Sequence, residues 1–283
     1  MLTVVQSVYN KNPLIAKSTI NQINSLDTLG IEFQFILYND NGDPSIIDDI
    51  PKVVLNHEYF EYYYADFNFG YKTAPGGFVG AKDLIKYPFV HSSNQDDFYS
   101  PVFYSLCLKN LLALDETYAA VCMNCYHVNE EFEIEGIPLP DPSVEDEVNK
   151  AWSNPTFMFD WMFGIDGDKL TKSDNFIYFP GTIFRKELYE KIGTPDFKNF
   201  GGSGDFEYWA RAVFNGYKFK YLSLPTWYYM QSSYSHSRIA KETGDARVTT
   251  YMPRIKEKYQ NLWLSNNKKV RDVPEITEDI FWS

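Results

Sequence analysis

The sequence predicts an α/β fold with a mostly parallel central sheet flanked by helices. Two observations carry the prediction. Short runs of β-branched and apolar residues are followed by stretches whose apolar residues recur at helical spacing. The turns between them are rich in Asn, Asp, Gly and Pro. With 283 residues, 44% of them hydrophobic, the chain can bury one large core.

Leu2–Val8 reads as a buried strand. Asn10 to Pro13 is turn chemistry, and Pro13 suits a first helical turn. Leu14, Ile15, Ile20, Ile23 and Leu26 then recur at helical spacing, and Gly30 is the expected stop. Phe33–Tyr38 is a second strand, ending in the loop signal Asn39-Asp-Asn-Gly-Asp-Pro44. Ser45–Ile50 reads as a short helix and Val53–Leu55 as a third strand. The aromatic stretch His57–Tyr71 reads as cover for one sheet face, broken by Ala74-Pro-Gly-Gly77. A helix over Phe78–Leu84 leads into an apolar pair, Phe89-Val90. Pro101–Leu114 is a helix and Tyr118–Tyr126 a strand. Glu130–Val148, the most acidic and Pro-rich segment, reads as a solvated loop. Phe176–Phe184 is a strand, Lys186–Ile192 a helix closed by Gly193, Phe206–Phe214 a helix stopped by Gly216, and Lys218–Leu222 a strand. A weak helical period runs from Tyr251 to Leu264.

Composition limits the function. A formal net charge of -12 argues against nucleic acid and anionic membranes as partners. It does not argue against a nucleotide held by a metal and backbone donors. Aromatics make up 18% of the chain, which suits stacking on a base or sugar as well as ordinary core. The cysteines are Cys107, Cys122 and Cys125. Cys122-x-x-Cys125 with His127 lacks a second pair, so buried thiols are expected rather than zinc. No stretch approaches the roughly 20 apolar residues of a membrane span, and the N-terminus is not expected to be a signal peptide. A cytoplasmic protein is the expectation.

An α/β sheet places ligands at the carboxyl ends of its strands. Four such ends carry unusual polar residues: Ser7-Val-Tyr-Asn10, Asn39-Asp-Asn-Gly42, Asn94-Gln-Asp-Asp97, and the turn Gly201-Gly-Ser-Gly-Asp205 before the helix with Glu207 and Arg211. Adjacent carboxylates after a buried strand need partners. A divalent cation bridging to phosphates would supply one, and a solvated acidic turn is the plainer alternative.

In this order these blocks resemble inverting GT-A glycosyltransferases of family 2, as in bacterial capsule, spore-coat and lipopolysaccharide synthesis. The resemblance rests on Val4-Val-Gln-Ser-Val-Tyr-Asn-Lys-Asn-Pro13, Phe35-Ile-Leu-Tyr-Asn-Asp-Asn-Gly42, Asn94-Gln-Asp-Asp-Phe-Tyr-Ser-Pro101, Gly181-Thr-Ile-Phe-Arg185 and Gly204-Asp-Phe-Glu-Tyr-Trp209. It spans about Leu2 to His236. It implies a GT-A domain over 1–240, with a nucleotide-sugar half (1–100) and an acceptor half (101–240) in one continuous sheet, and a C-terminal extension over 241–283.

The resemblance also implies roles. Ser7, Val8 and Tyr9 would line the base pocket with Asp40, Asn94 and Gln95. Asp96, with Asp97 and His236, would hold Mg²⁺ or Mn²⁺ against the donor diphosphate, where the metal neutralises charge on the leaving group. Asp205 would be the general base that deprotonates the acceptor hydroxyl. Trp161, Gly181 and Glu207 are the candidates for acceptor contact. The donor implied is a UDP- or dTDP-sugar and the acceptor a glycan or glycolipid. This sequence departs from the family at Asn94, where the family has Asp, and at Gly77-Phe-Val79, where many relatives carry Arg near the diphosphate. Lys72 or Lys82 could substitute. These departures motivate an alternative, a sugar- or nucleotide-binding module without catalysis. A nucleotidyltransferase would need a Gly-rich basic loop that Ser7–Pro13 lacks. The bland readings are that Asp40 is turn chemistry, Asp205 a helix cap, Trp152 and Trp161 core, and Asp166-Gly-Asp168 a loop.

Overall fold

The computed structural model describes residues 1–67, 74–137, 142–174, 177–231 and 250–273. His236 and Lys72 lie outside them. The first strand, β1 (Leu2–Val8), is buried along its whole length, as its apolar run requires. Its polar members are bonded to neighbouring side chains: Thr3 donates to Gln34 Oε1 at 3.0 Å and Gln6 Nε2 to Ser18 Oγ at 2.9 Å. Helix α1 (Ile15–Leu29) ends where Gly30 takes φ of 60°, the left-handed geometry that glycine adopts without a Cβ clash. Then come β2 (Phe33–Asn39), a 3₁₀ turn over Pro44–Asp49, α2 (Lys52–Leu55) and β3 (Phe60–Tyr64).

Two expectations change here. Val53–Leu55 is helical, because Pro51 caps a turn that closes Asn56 N onto Lys52 O. The third strand lies instead within the aromatic run, pairing Phe60–Tyr64 alongside Phe35–Asn39. Phe60–Tyr64 is therefore a sheet edge and not a cover.

The chain continues through α3 (Ala74–Ala81), β4 (Phe89–Ser93), β5 (Phe98–Tyr99), α4 (Pro101–Ala113), β6 (Tyr118–Met123), β7 (Tyr126–Val128) and β8 (Ile134–Gly136). Ser100 caps α4 with its hydroxyl toward Phe103 N, and Pro101 takes the first turn. The acidic segment is only partly loop. Glu145, Asp146 and Glu147 form the first turn of α5 (Glu145–Trp152), where carboxylates favour the helix dipole. Helix α6 (Pro155–Phe163) follows. Asp166-Gly-Asp168 forms a hairpin between β9 (Ile165–Asp166) and β10 (Lys169–Leu170), with Gly167 at φ of 58°. The strand expected over Phe176–Phe184 is shortened to β11 (Thr182–Arg185), since Phe179–Gly181 coils into a 3₁₀ turn around Pro180. The rest is α7 (Lys186–Ile192), α8 (Phe197–Phe200), α9 (Gly204–Phe214), β12 (Lys218–Leu222), β13 (Trp227–Met230) and α10 (Met252–Ser265).

Among the described residues, the main sheet has seven strands in the order β12-β6-β11-β4-β1-β2-β3. All pairs are parallel except those of β11, which runs against β4 and β6. This sheet runs unbroken through strands of both halves of the chain, as expected from sequence, and a second sheet of order β5-β13-β7-β8 forms beside it. Its strands follow β4, β12 and β6 directly, so it stands at the carboxyl edge of the main sheet. Helices α3, α5, α6, α7, α9 and α10 cover one face of the main sheet and α1, α2 and α4 the other. In α10, Ile255, Tyr259 and Trp263 form one buried stripe at helical spacing. No helix among the described residues is long and apolar enough to cross a membrane. All three cysteines are free and buried, and burial pushes the Cys122 thiol up to about 12.

His91 sits fully buried in the middle of β4, with Nε2 2.8 Å from Pro180 O. Burial pushes its pKa down to about 4, partly offset by that bond. The unfolded chain, at about 6.5, therefore binds the proton more readily. The stabilisation is full above about pH 6.5 and is lost as pH falls toward 4. Its size is about 3 kcal/mol. Urea unfolding of wild type and His91→Gln between pH 4.5 and 7.5 should show a smaller acid loss in the variant. Parallel curves would refute the assignment.

Candidate active site

Loops after β1, β2 and β4 meet at the carboxyl edge and are bonded to one another. Asp40 N donates to Val8 O at 3.0 Å and Asp43 N to Tyr9 O at 2.9 Å. Tyr9 N donates to Gln95 Oε1 at 3.3 Å, and Gln6 Nε2 to Asn94 O at 3.4 Å. Strand order puts β1 between β2 and β4, so these loops are neighbours by construction. Ser7, Val8, Tyr9, Asp40, Asn94, Gln95 and Asp96 thus form one group. Tyr9 is half-buried, whereas Asp40 and Asp96 are buried.

The turn after β2 is built by Asn39. Its Oδ1 accepts from Gly42 N and its Nδ2 donates to Asp43 O, each at 2.8 Å. Asn41 takes φ of 54°, which Asn tolerates. Gly42 is pressed so tightly on the preceding loop that a Cβ would lie 1.9 Å from Tyr9 O. On the other side, a Cβ on Gly77 of α3 would lie 2.1 Å from Ser7 Oγ. The sequence marks Asn39–Pro44 only as a loop; the clamp appears once β1 and β2 pair. Nearby, burial pushes the Tyr38 phenol up to about 12, helped by the Asp40 and Asp66 carboxylates.

The two adjacent carboxylates differ. Asp97 is fully buried, its Oδ1 accepting from Met230 N at 3.1 Å and its Oδ2 from Asn94 Nδ2 at 2.8 Å. Burial, and then the Asp96 carboxylate, hold Asp97 well above the usual carboxylate range. Both its oxygens thus have protein donors, which points to a structural part rather than the metal contact expected of it. Among the described residues no three His, Cys, Asp or Glu side chains cluster to hold a metal. A single carboxylate, Asp96, fits an ion of the Mg²⁺ or Mn²⁺ kind that takes its other ligands from water and substrate phosphates.

Gly181 precedes β11, whose first residue lies beside Cys122 near the carboxyl end of β6. It therefore belongs to the same edge. A Cβ there would come within 2.5 Å of the Trp227 ring. Helix α9 runs into β12, which starts at the amino edge beside Tyr118. Its 11 residues span about 16 Å, so its N-terminus, with Asp205 in the first turn, lies toward the carboxyl edge. Asp205 is half-buried and its Oδ1 accepts from Phe206 N at 2.7 Å. The turn before it is fixed by Gly201, at φ of 51° against the Tyr251 ring, and by Gly204 against Phe197.

Glu207 is placed differently from its expected acceptor contact. It is fully buried and bonded to Arg211 at 2.7 Å, Lys258 at 2.8 Å and Tyr259 Oη at 3.0 Å. It anchors α10 on α9. Trp161 lies on α6, half-buried against the core that this helix shares with α9.

This architecture matches solved glycosyltransferases. The mannosyltransferase PcManGT from Pyrobaculum calidifontis, in complex with GDP-Man and Mn²⁺, aligns with a TM-score of 0.59 at 15% identity, over 93% of this chain and 69% of that one. TarS 1–349 of S. aureus in complex with UDP-GlcNAc aligns at 0.52 and 15% identity, over 84% and 60%. The TarS 1–349 crystal structure aligns at 0.52 and 16%, over 81% and 60%. The chain thus spans about 60% of the length of these TarS structures. No family profile and no curated protein matches at the level of sequence. At these identities the likeness shows the fold, a mixed α/β sheet of the GT-A kind.

Two substitutions test the construction. Gly42→Ala must displace the Tyr9 carbonyl, and overpacking of this kind costs about 1–3 kcal/mol; an unchanged urea midpoint would refute the clamp. Glu207→Ala leaves the half-buried Arg211 without its carboxylate and should destabilise by about 3 kcal/mol. A loss under about 1 kcal/mol would mean that the network behaves like a surface pair.

Proposed function

We propose that the chain is an inverting glycosyltransferase of the family 2 type. It transfers a sugar from a nucleotide-diphosphate donor, a UDP- or dTDP-sugar, to a hydroxyl of a glycan or glycolipid. One observation carries the reading: the loops after β1, β2 and β4 form a single bonded group at the carboxyl edge, where open α/β sheets bind ligands. The UDP-GlcNAc of the TarS complex and the GDP-Man of the PcManGT complex support a nucleotide-sugar donor in general.

In this reading Ser7, Val8 and Tyr9 line the nucleoside site, with the Tyr9 ring stacking on the base and Asp40 accepting from a base N–H. Asn94 and Gln95 border the ribose. Asp96 would hold Mg²⁺ or Mn²⁺, in keeping with the Mn²⁺ of the PcManGT complex, with Asp97 fixing its loop and His236 as a further ligand. Such an ion supplies charge neutralisation to the departing diphosphate. Asp205 takes the proton of the acceptor hydroxyl. The freed oxygen forms a bond to the anomeric carbon as the bond to the diphosphate oxygen breaks, and configuration inverts.

The test separates binding from chemistry. UDP, dTDP and GDP are titrated with and without Mn²⁺ by thermal shift, since a ligand that binds the native state raises its melting temperature. One nucleotide should raise it, more with Mn²⁺, and Asp96→Ala should abolish the metal increment. Asp205→Asn should keep the shift but lower donor turnover by about 100-fold or more. Turnover unchanged in Asp205→Asn would remove the base assignment. No response to any nucleotide would remove the reading itself.

A further inference from the structure

Three half-buried rings meet beside the candidate site and have no part in the mechanism above. His127 of β7 and Tyr229 of β13 are register partners, with ring centroids 5.3 Å apart. Tyr178, three residues before Gly181, stands edge-on to both, at 6.1 Å from His127 and 5.8 Å from Tyr229. Alternation along β13 puts Tyr229 on the same face as Trp227, whose buried ring packs against Gly181 and whose Nε1 donates to Met123 O at 3.1 Å. Tyr228 is on the opposite face, stacked on Tyr126 at 5.8 Å. The residue after Tyr229 is Met230, whose amide donates to Asp97. The cup therefore lies between the 94–97 loop and the start of β11.

We propose that His127, Tyr178 and Tyr229 form a binding cup for one neutral pyranose ring of the acceptor. A pyranose has apolar C–H faces that pack on aromatic rings and a rim of hydroxyls. Two phenols and an imidazole supply both kinds of contact. The cup rests on the transferase reading for its purpose; its location rests on the side chains alone.

The probe is a set of methyl pyranosides (gluco, galacto, manno and N-acetylglucosamine), with binding to the full chain read by saturation-transfer NMR. At least one should bind wild type. Tyr229→Ala should weaken it about tenfold, while Tyr229→Phe retains it. Tyr228→Ala, on the other face of the same short strand, controls for damage to the fold and should bind as wild type. Failure of every glycoside to bind wild type, unchanged binding in Tyr229→Ala, or equal loss in Tyr228→Ala would each overturn the cup. Nucleotide thermal shifts run in parallel keep the two readings apart. A nucleotide response without glycoside binding removes the cup and leaves the transferase. Glycoside binding lost in Tyr229→Ala without any nucleotide response keeps the cup and removes the transferase.

Discussion

The buried carboxylate of Asp97 is the joint on which the candidate site depends. It is out of water, and burial disfavours its charge. A buried acceptor of this kind is tolerated only when bonded. One of its oxygens is held by Asn94 of its own loop and the other by Met230 of the small sheet. The Asp97 backbone carbonyl in turn accepts from Ser18 Oγ of α1 at 2.5 Å. One residue thus ties the loop after β4 to the helix after β1 and to a strand more than a hundred positions later. The small sheet has strands of two to four residues, too short to hold their place alone. This joint helps to fix where they stand over the carboxyl edge.

Glu207 does the same on the other side. Its carboxylate meets Arg211 within α9 and Lys258 and Tyr259 on α10. The apolar stripe of α10 supplies the attraction, since each fully buried side chain contributes about 1.5–3 kcal/mol. The ion pairs add little net stability over apolar replacements. What they add is position: with Tyr251 set against Gly201, they fix α10 beside the turn that presents Asp205.

Much of the fold was legible in the sequence because its strongest signals are local. The all-buried run Leu2–Val8, the helix stopped by Gly30 and the strand Lys218–Leu222 are each set by composition and a terminal glycine or turn. Val53–Leu55 misled because β-branched residues favour strands, while Pro51 and the closure of Asn56 decided for a helical turn. Phe60–Tyr64 has a partner, β2, that only pairing reveals. Two-residue strands such as Phe98–Tyr99 carry no period to read. At the candidate site, residue types picked out loops that the fold bonds together at the carboxyl edge, but no local signal separates Asp96 from Asp97 or shows that Glu207 is buried. The cup was invisible for the same reason, since His127, Tyr178 and Tyr229 are far apart in the chain.

A common logic links the two ends of the site. Asp96 is beside Asp97, and Asp205 is two positions before Glu207. In each pair the candidate functional carboxylate neighbours one that is fully buried and bonded across elements. A carboxylate that binds a cation or accepts a proton must keep its charge and some access, so it cannot also be the group that locks the backbone. A neighbour can take that task at the cost of its own desolvation. The pairing therefore divides two incompatible demands, rigidity and reactivity, between adjacent side chains. It makes the fully buried member of each pair as necessary to the site as its neighbour.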